Sequence, residues 1–87
     1  MSILNKIPEE EMREILLREY KRRFLLYKLV DEKMREKYNM SFEEFEARNI
    51  VGEKGYSWEV ESDAIEWEHA IEGLRYIEER IKELNSE

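Results

Sequence analysis

No glycine or proline interrupts the thirty residues between Pro8 and Asn39, and apolar side chains recur through them with helical period. Pro8 suits a helix entry, because the first helical position needs no backbone donor, and Glu9, Glu10 and Glu11 then face the positive end of the helix dipole. At about 100° per residue, Met12, Leu16, Tyr20, Phe24, Tyr27, Val30, Met34 and Tyr38 fall in one stripe about 120° wide, the expected core face. Ile15, Leu25, Leu26 and Leu29 fall on the far side, so the middle of this helix is apolar around most of its circumference. One neighbouring hairpin cannot cover both sides. The second face therefore predicts self-association, a homodimer formed through Ile15, Leu25, Leu26 and Leu29.

Asn39 suits a left-handed helix end, and the next helix is signalled twice. Ser41 and Glu44 have capping-box spacing, and Met40 and Phe45 have that of a hydrophobic staple. This short helix is expected over about 42–49, followed by a loop over about 50–62 containing Gly52, Gly55 and Ser57. Tyr56 to Glu61 alternates apolar and polar, yet no second strand exists to pair with it, so it reads as an extended lead-in or as the first turn of the last helix. From Asp63, able to cap with Glu66 three residues on, a helix over about 63–84 places Trp67, Ala70, Ile71, Leu74, Ile77, Ile81 and Leu84 on one face. Gly73 lies beside that face, where it either permits close helix approach or is simply a tolerated surface glycine. The expectation is a single all-α domain over residues 1–87: a helix over about 8–38, the short helix, and a long C-terminal helix closing an antiparallel hairpin completed by dimerisation.

Size makes that completion important. An 87-residue chain removes only about 60–65% of its unfolded surface from water, and with no cysteine neither disulfides nor thiolate metal sites can reinforce a thin core. Charged residues make up 43% of the chain, mostly Glu, Lys and Arg, a helix-forming composition that also resembles that of thermophile proteins. The start, Met1 to Pro8, lacks the pattern of a signal peptide and no stretch nears the apolar length of a membrane span. A soluble, unprocessed, cytoplasmic protein without membrane association is expected.

Charge is divided along the chain: residues 1–40 carry ten Lys or Arg against eight Asp or Glu, and residues 41–87 carry five against fourteen. Within the acidic half, Tyr56, Trp58 and Trp67 set large rings beside carboxylates, a combination suited to a basic protein partner. Tyr56 or Trp58 would anchor in a pocket while Glu59, Glu61 and Asp63 steer and pair with Lys or Arg; the alternative is that these rings cover the thin core of a small domain. Trp67, lying on the core stripe, reads as packing.

Chemistry is poorly supported. Glu66 and His69, the only histidine, have the i, i+3 spacing of di-iron helix bundles, and Glu19 could add a carboxylate in a dimer. However, the helical wheel turns His69 about 160° from the core face, so a di-metal four-helix bundle is a minor alternative and no cofactor is implied. No nucleophile arrangement, isolated acid/base pair or phosphate loop is present, which argues against an enzyme. Lys21, Arg22 and Arg23, with Arg18 and Lys28, form a local basic patch, but a net charge of −7 opposes phosphate binding.

The runs Lys37-Tyr38-Asn39-Met40-Ser41-Phe42-Glu43-Glu44-Phe45 and Ser62-Asp63-Ala64-Ile65-Glu66-Trp67-Glu68 resemble the small acidic antitoxin-like helical proteins of archaea and some bacteria. The likeness extends over about residues 37–87. It implies a partner toxin, often a ribonuclease or nucleotidyltransferase-type protein encoded alongside and inhibited by direct binding. What carries over lands on the Ser41–Phe45 helix start and the Trp58–Trp67 segment, and no catalytic residues come with it. The long N-terminal helix replaces the DNA-binding head of many antitoxins, so the resemblance does not imply operator binding. The alternative is a structural helical homo-oligomer without a client.

Overall fold

The computed structural model describes residues 7–86. The expected start at residues 1–6 lies outside them. Four helices follow in order: α1 (Glu9–Tyr38), α2 (Phe42–Ala47), α3 (Ile50–Glu53) and α4 (Trp58–Asn85). Among the described residues there is no strand, and no helix is long and apolar enough to cross a membrane. The protein is all-α.

The long helices run antiparallel, because partners on α1 descend as those on α4 ascend. Tyr38 meets Asp63, Lys33 meets Glu66, Asp31 meets Trp67 and Tyr27 meets Gly73. The rod is 55 Å long and 27 by 17 Å across, close to the roughly 45 Å that thirty helical residues span.

Local signals explain where the helices stop and start. Asn39 takes the left-handed conformation at φ 57° and ends α1, as a C-terminal Asn can without a large steric penalty. Ser41 Oγ accepts the Glu44 N–H at 3.2 Å, Phe45 is buried, and Met40 packs against the same cluster. Both signals of the second helix therefore act in the structure.

The expected loop over 50–62 is not one. Asn49, left-handed at φ 50°, ends the preceding turn, and its side chain accepts the Gly52 N–H to cap α3. The short helix expected over 42–49 accordingly closes at Ala47. The last helix begins at Trp58 rather than Asp63, because Ser57 Oγ accepts the Val60 N–H at 3.3 Å. Of the two readings of Tyr56–Glu61, the first turn of the last helix is the one observed. Asp63 caps nothing: it lies within α4 and turns towards α1.

Burial is concentrated at one end. Met34, Phe42, Phe45, Ile50, Val60 and Trp67 form a buried cluster where α2 and α3 close over the α1–α4 pair. Trp67 is its hub at 0% exposure, with the rings of Phe45, Phe42 and Tyr38 centred 5.1, 5.4 and 6.1 Å away. Further along, Ala70, Leu74 and Ile77 remain buried on α4, whereas Phe24 and Tyr20 of α1 are only partly covered and Leu16 is exposed. The predicted stripe therefore faces α4 throughout but is sealed only near the short helices.

Candidate protein-docking surface

The helical turn divides the acidic–aromatic segment in two. Glu59, Asp63 and Glu66 turn towards α1. Lys37 Nζ donates to Asp63 Oδ2 at 2.6 Å and to Glu59 Oε1 at 3.1 Å, and Lys33 Nζ donates to Glu66 Oε1 at 2.9 Å. The Tyr38 hydroxyl adds a 2.6 Å bond to Asp63 Oδ2. Solvent screens pairs of this kind and they stabilise little, but they mark the register in which the two long helices lie.

Asp63 is the best embedded of these acids, its side chain 16% exposed. Desolvation works to raise its pKa, yet the hydrogen bonds from Lys37 and Tyr38 win and hold the carboxyl below its ordinary value. The Tyr38 phenol is pushed up to about 12, first by burial and then by donating to Asp63. Lys37 is raised, chiefly through its bond to Asp63 and then to Glu59. Asp63, named from sequence as a partner-steering acid, is thus engaged within the chain, and Glu59 shares that role while remaining open to solvent.

The other side of the segment faces outward. Trp58, the first residue of α4, is 82% exposed, and Ile65, two turns on, is 69% exposed. Glu61 lies between them on the same side of the helix. Tyr56, 63% exposed, precedes them in a left-handed conformation at φ 54°, unusual for a bulky side chain. Its N–H donates to the Val51 carbonyl at 2.9 Å, which holds the turn against α3. Ile65 was missed by the sequence reading, although its seven-residue spacing from Trp58 places the two on one face.

A groove continues this surface between the short helices and α4. Phe42 and Ile71 line it with Glu43, Glu46, Glu68, Glu72 and Arg75, four carboxylates to one guanidinium. Ala64, Asn49, Ile50 and Val51 extend the groove towards the Tyr56 turn. Nothing local in the sequence shows that α2 will lie alongside α4. An apolar lining bordered by carboxylates can accept the methylene stem of a Lys or Arg while pairing its head.

Trp67, assigned to packing, is buried, and its indole N–H donates to Asp31 Oδ1 at 2.9 Å. Asp31 is 3% exposed and also accepts from Arg35 at 3.0 Å. The sequence reading overlooked Asp31. A buried carboxylate needs such donors; Arg35 is a local one, four residues on along α1, whereas Trp67 comes from the other long helix.

The residues weighed for a metal are committed elsewhere. Glu19 accepts from Arg22 at 2.7 Å and Arg23 at 3.1 Å. The Arg22 hydrogen bond, opposed by slight desolvation and helped by Arg23, brings its pKa to about 2. Glu66 is paired with Lys33, and the exposed His69 sets its ring edge-on to Tyr27 at 5.6 Å. Among the described residues no three His, Asp or Glu side chains are grouped to hold a metal ion. The four residues assigned to self-association are all exposed on α1: Ile15, Leu25, Leu26 and Leu29.

No family model matches this chain, and no curated protein or solved structure is significantly similar to it.

Proposed function

We propose that the chain is a non-enzymatic protein–protein interaction module, an antitoxin that binds and inhibits a basic partner toxin through its acidic, aromatic second half. The observation that carries this reading is Trp58: a tryptophan at the head of a well-capped helix, 82% exposed, beside Glu61 and the carboxylate-lined groove. Exposed aromatic anchors of this kind are where binding energy concentrates once a partner excludes water. The surrounding acids steer a cationic partner and pair with it at the rim. The docking set becomes Tyr56, Trp58, Glu61 and Ile65, with Glu59 and Asp63 acting behind it to hold α4 on α1 through Lys37. Inhibition is stoichiometric, by covering the toxin's active site or its RNA-binding surface.

Calorimetric titration with the product of the adjacent gene, at low and high salt, tests the reading. Trp58→Ala should weaken binding by about 30-fold or more, and Glu61→Lys should weaken it most at low salt. Unchanged affinity in both variants would reject this surface. No binding by the native chain would reject the antitoxin reading.

The same reading includes a homodimer formed through Ile15, Leu25, Leu26 and Leu29, whose exposure on one face of α1 supports it. That exposure also favours a second reading, a structural helical homo-oligomer without a client.

A further inference from the structure

The outer face of α1 has an order that its apolar residues alone do not reveal. Arg18, Arg22, Leu25, Leu29, Glu32 and Glu36 follow one another in alternating steps of four and three, the seam of a two-stranded coiled coil. All six are exposed. They lie on the side of α1 turned away from α4, opposite Met34, Tyr38 and Asp31. Along the seam run two arginines, two leucines and two glutamates, and Ile15 continues it one step before Arg18.

This sequence of charges is complementary to its own reverse. With two copies of α1 antiparallel and centred on Tyr27, Leu25 of each meets Leu29 of the other, Arg22 meets Glu32, and Arg18 meets Glu36. Parallel pairing would set arginine against arginine and glutamate against glutamate, which is unfavourable. Shifting the antiparallel pair by one heptad would break the leucine contacts. Arg22 already pairs with Glu19, but that pair is exposed and exchanges readily for a carboxylate on another chain.

We propose that a second copy of this chain covers the outer face of α1 in an antiparallel two-fold arrangement centred on Tyr27, with Arg18 and Arg22 facing Glu36 and Glu32 of the other copy. This deepens the homodimer reading and rests on it. The arrangement sends the two Trp58 surfaces to opposite ends of the dimer, so two toxin molecules can be held without touching.

The chain has no cysteine, so single nitroxide labels can be placed cleanly. Glu14→Cys, Lys21→Cys and Lys28→Cys lie beside the seam, seven residues apart. In the proposed dimer the axial separation between like labels is about 3 Å at Lys28→Cys, 18 Å at Lys21→Cys and 39 Å at Glu14→Cys. Pulsed electron resonance should therefore give distances that grow steeply along this series. Light scattering on the pure chain should give twice its 10.8 kDa mass. Arg18→Glu/Arg22→Glu should fall to the monomer mass with its helical circular dichroism intact, and mixing it with Glu32→Arg/Glu36→Arg should restore the dimer.

A monomer in the native chain would overturn the dimer itself. A dimer with three equal, short label distances would overturn the antiparallel register alone. Persistent dimerisation of Arg18→Glu/Arg22→Glu would show that the seam charges do not direct pairing. None of these readouts uses a toxin, so their failure is distinguishable from failure of the docking surface in calorimetry.

Discussion

Tyr56 carries backbone strain for no visible gain in packing. It occupies the left-handed region at φ 54°, a conformation that costs a non-glycine residue about 1 kcal/mol or more, and its ring lies in solvent. Tyr56→Gly should therefore leave stability unchanged or raise it by up to about 1 kcal/mol in urea denaturation, since relief of strain opposes the larger unfolded-state entropy of glycine. If Tyr56 belongs to the proposed docking surface, the same variant should bind the proposed partner more weakly. A large loss of stability would mean instead that the ring supports the fold.

Tyr38 supplies a test at alkaline pH. Its native pKa of about 12 exceeds the ordinary 10.0, so the folded chain holds the phenolic proton more tightly than the unfolded chain. The resulting stabilisation is complete below pH 10 and is lost as the pH rises towards 12. Tyrosinate absorbance should show one of the five tyrosines ionising last, and Tyr38→Phe should remove that step and flatten the decline in melting temperature across the same window. Asp63 works in the opposite direction: its depressed native pKa gives stability that is present above 3.8 and is lost as the pH falls through the native value. Neither the Asp63 bridge nor the Trp67–Asp31 bond was legible in the sequence. Each joins residues more than twenty positions apart, and an acid among many acids carries no local sign of its partner. Asn39 and Ser41 were legible because their partners lie within four residues.

Between elements, α1 and α4 come close at Gly73. A Cβ there would lie 2.5 Å from Tyr27 Cε2, closer than packing allows, so the ring lies directly over the glycine backbone. Alanine would gain about 1 kcal/mol of helix propensity but forces the ring aside, at about 1–3 kcal/mol. Thermal melting should therefore show Gly73→Ala no more stable than the native chain, and Tyr27→Leu should recover the helix-propensity gain when combined with it. A clear rise in melting temperature for Gly73→Ala alone would place the helices further apart than described. The sequence placed Gly73 beside the α4 core face but left close approach and a tolerated surface glycine equally open, and the facing residue was not legible. The element boundaries most poorly read were those around residues 50–62. There the chain turns on Asn49, Gly55 and Tyr56 in left-handed conformations, and Ser57 caps without an acidic residue three positions on. The usual signature of a helix start was therefore incomplete, and the apolar–polar alternation beside it mimicked a strand.

At the scale of the whole molecule, packing falls off along the rod. The Trp67 end is closed by four helices, whereas the far end is a two-helix hairpin with Leu16 exposed and Phe24 half-covered. Amide hydrogen exchange should be slowest around residues 31–38 and 60–70 and fastest towards residues 9–16 and 78–85, because opening the far end exposes little apolar surface. If the proposed dimer forms, diluting the chain should accelerate exchange in residues 18–29 more than in 60–70. Uniform protection along α1 at every concentration would contradict both the gradient and the dimer. The all-helical hairpin and its core stripes were legible because helical period survives any tertiary arrangement. The carboxylate-lined groove was not, because it arises only when α2 folds back beside α4.

The two tryptophans stand at the limits of solvent contact, Trp67 at 0% and Trp58 at 82% exposure. Their emission should consequently separate into a blue component shielded from iodide and a red, readily quenched one. Loss of native packing acts on the first, and coverage of the α4 head acts on the second. Unlabelled protein can thus report unfolding and association as distinct optical signals in a single cuvette.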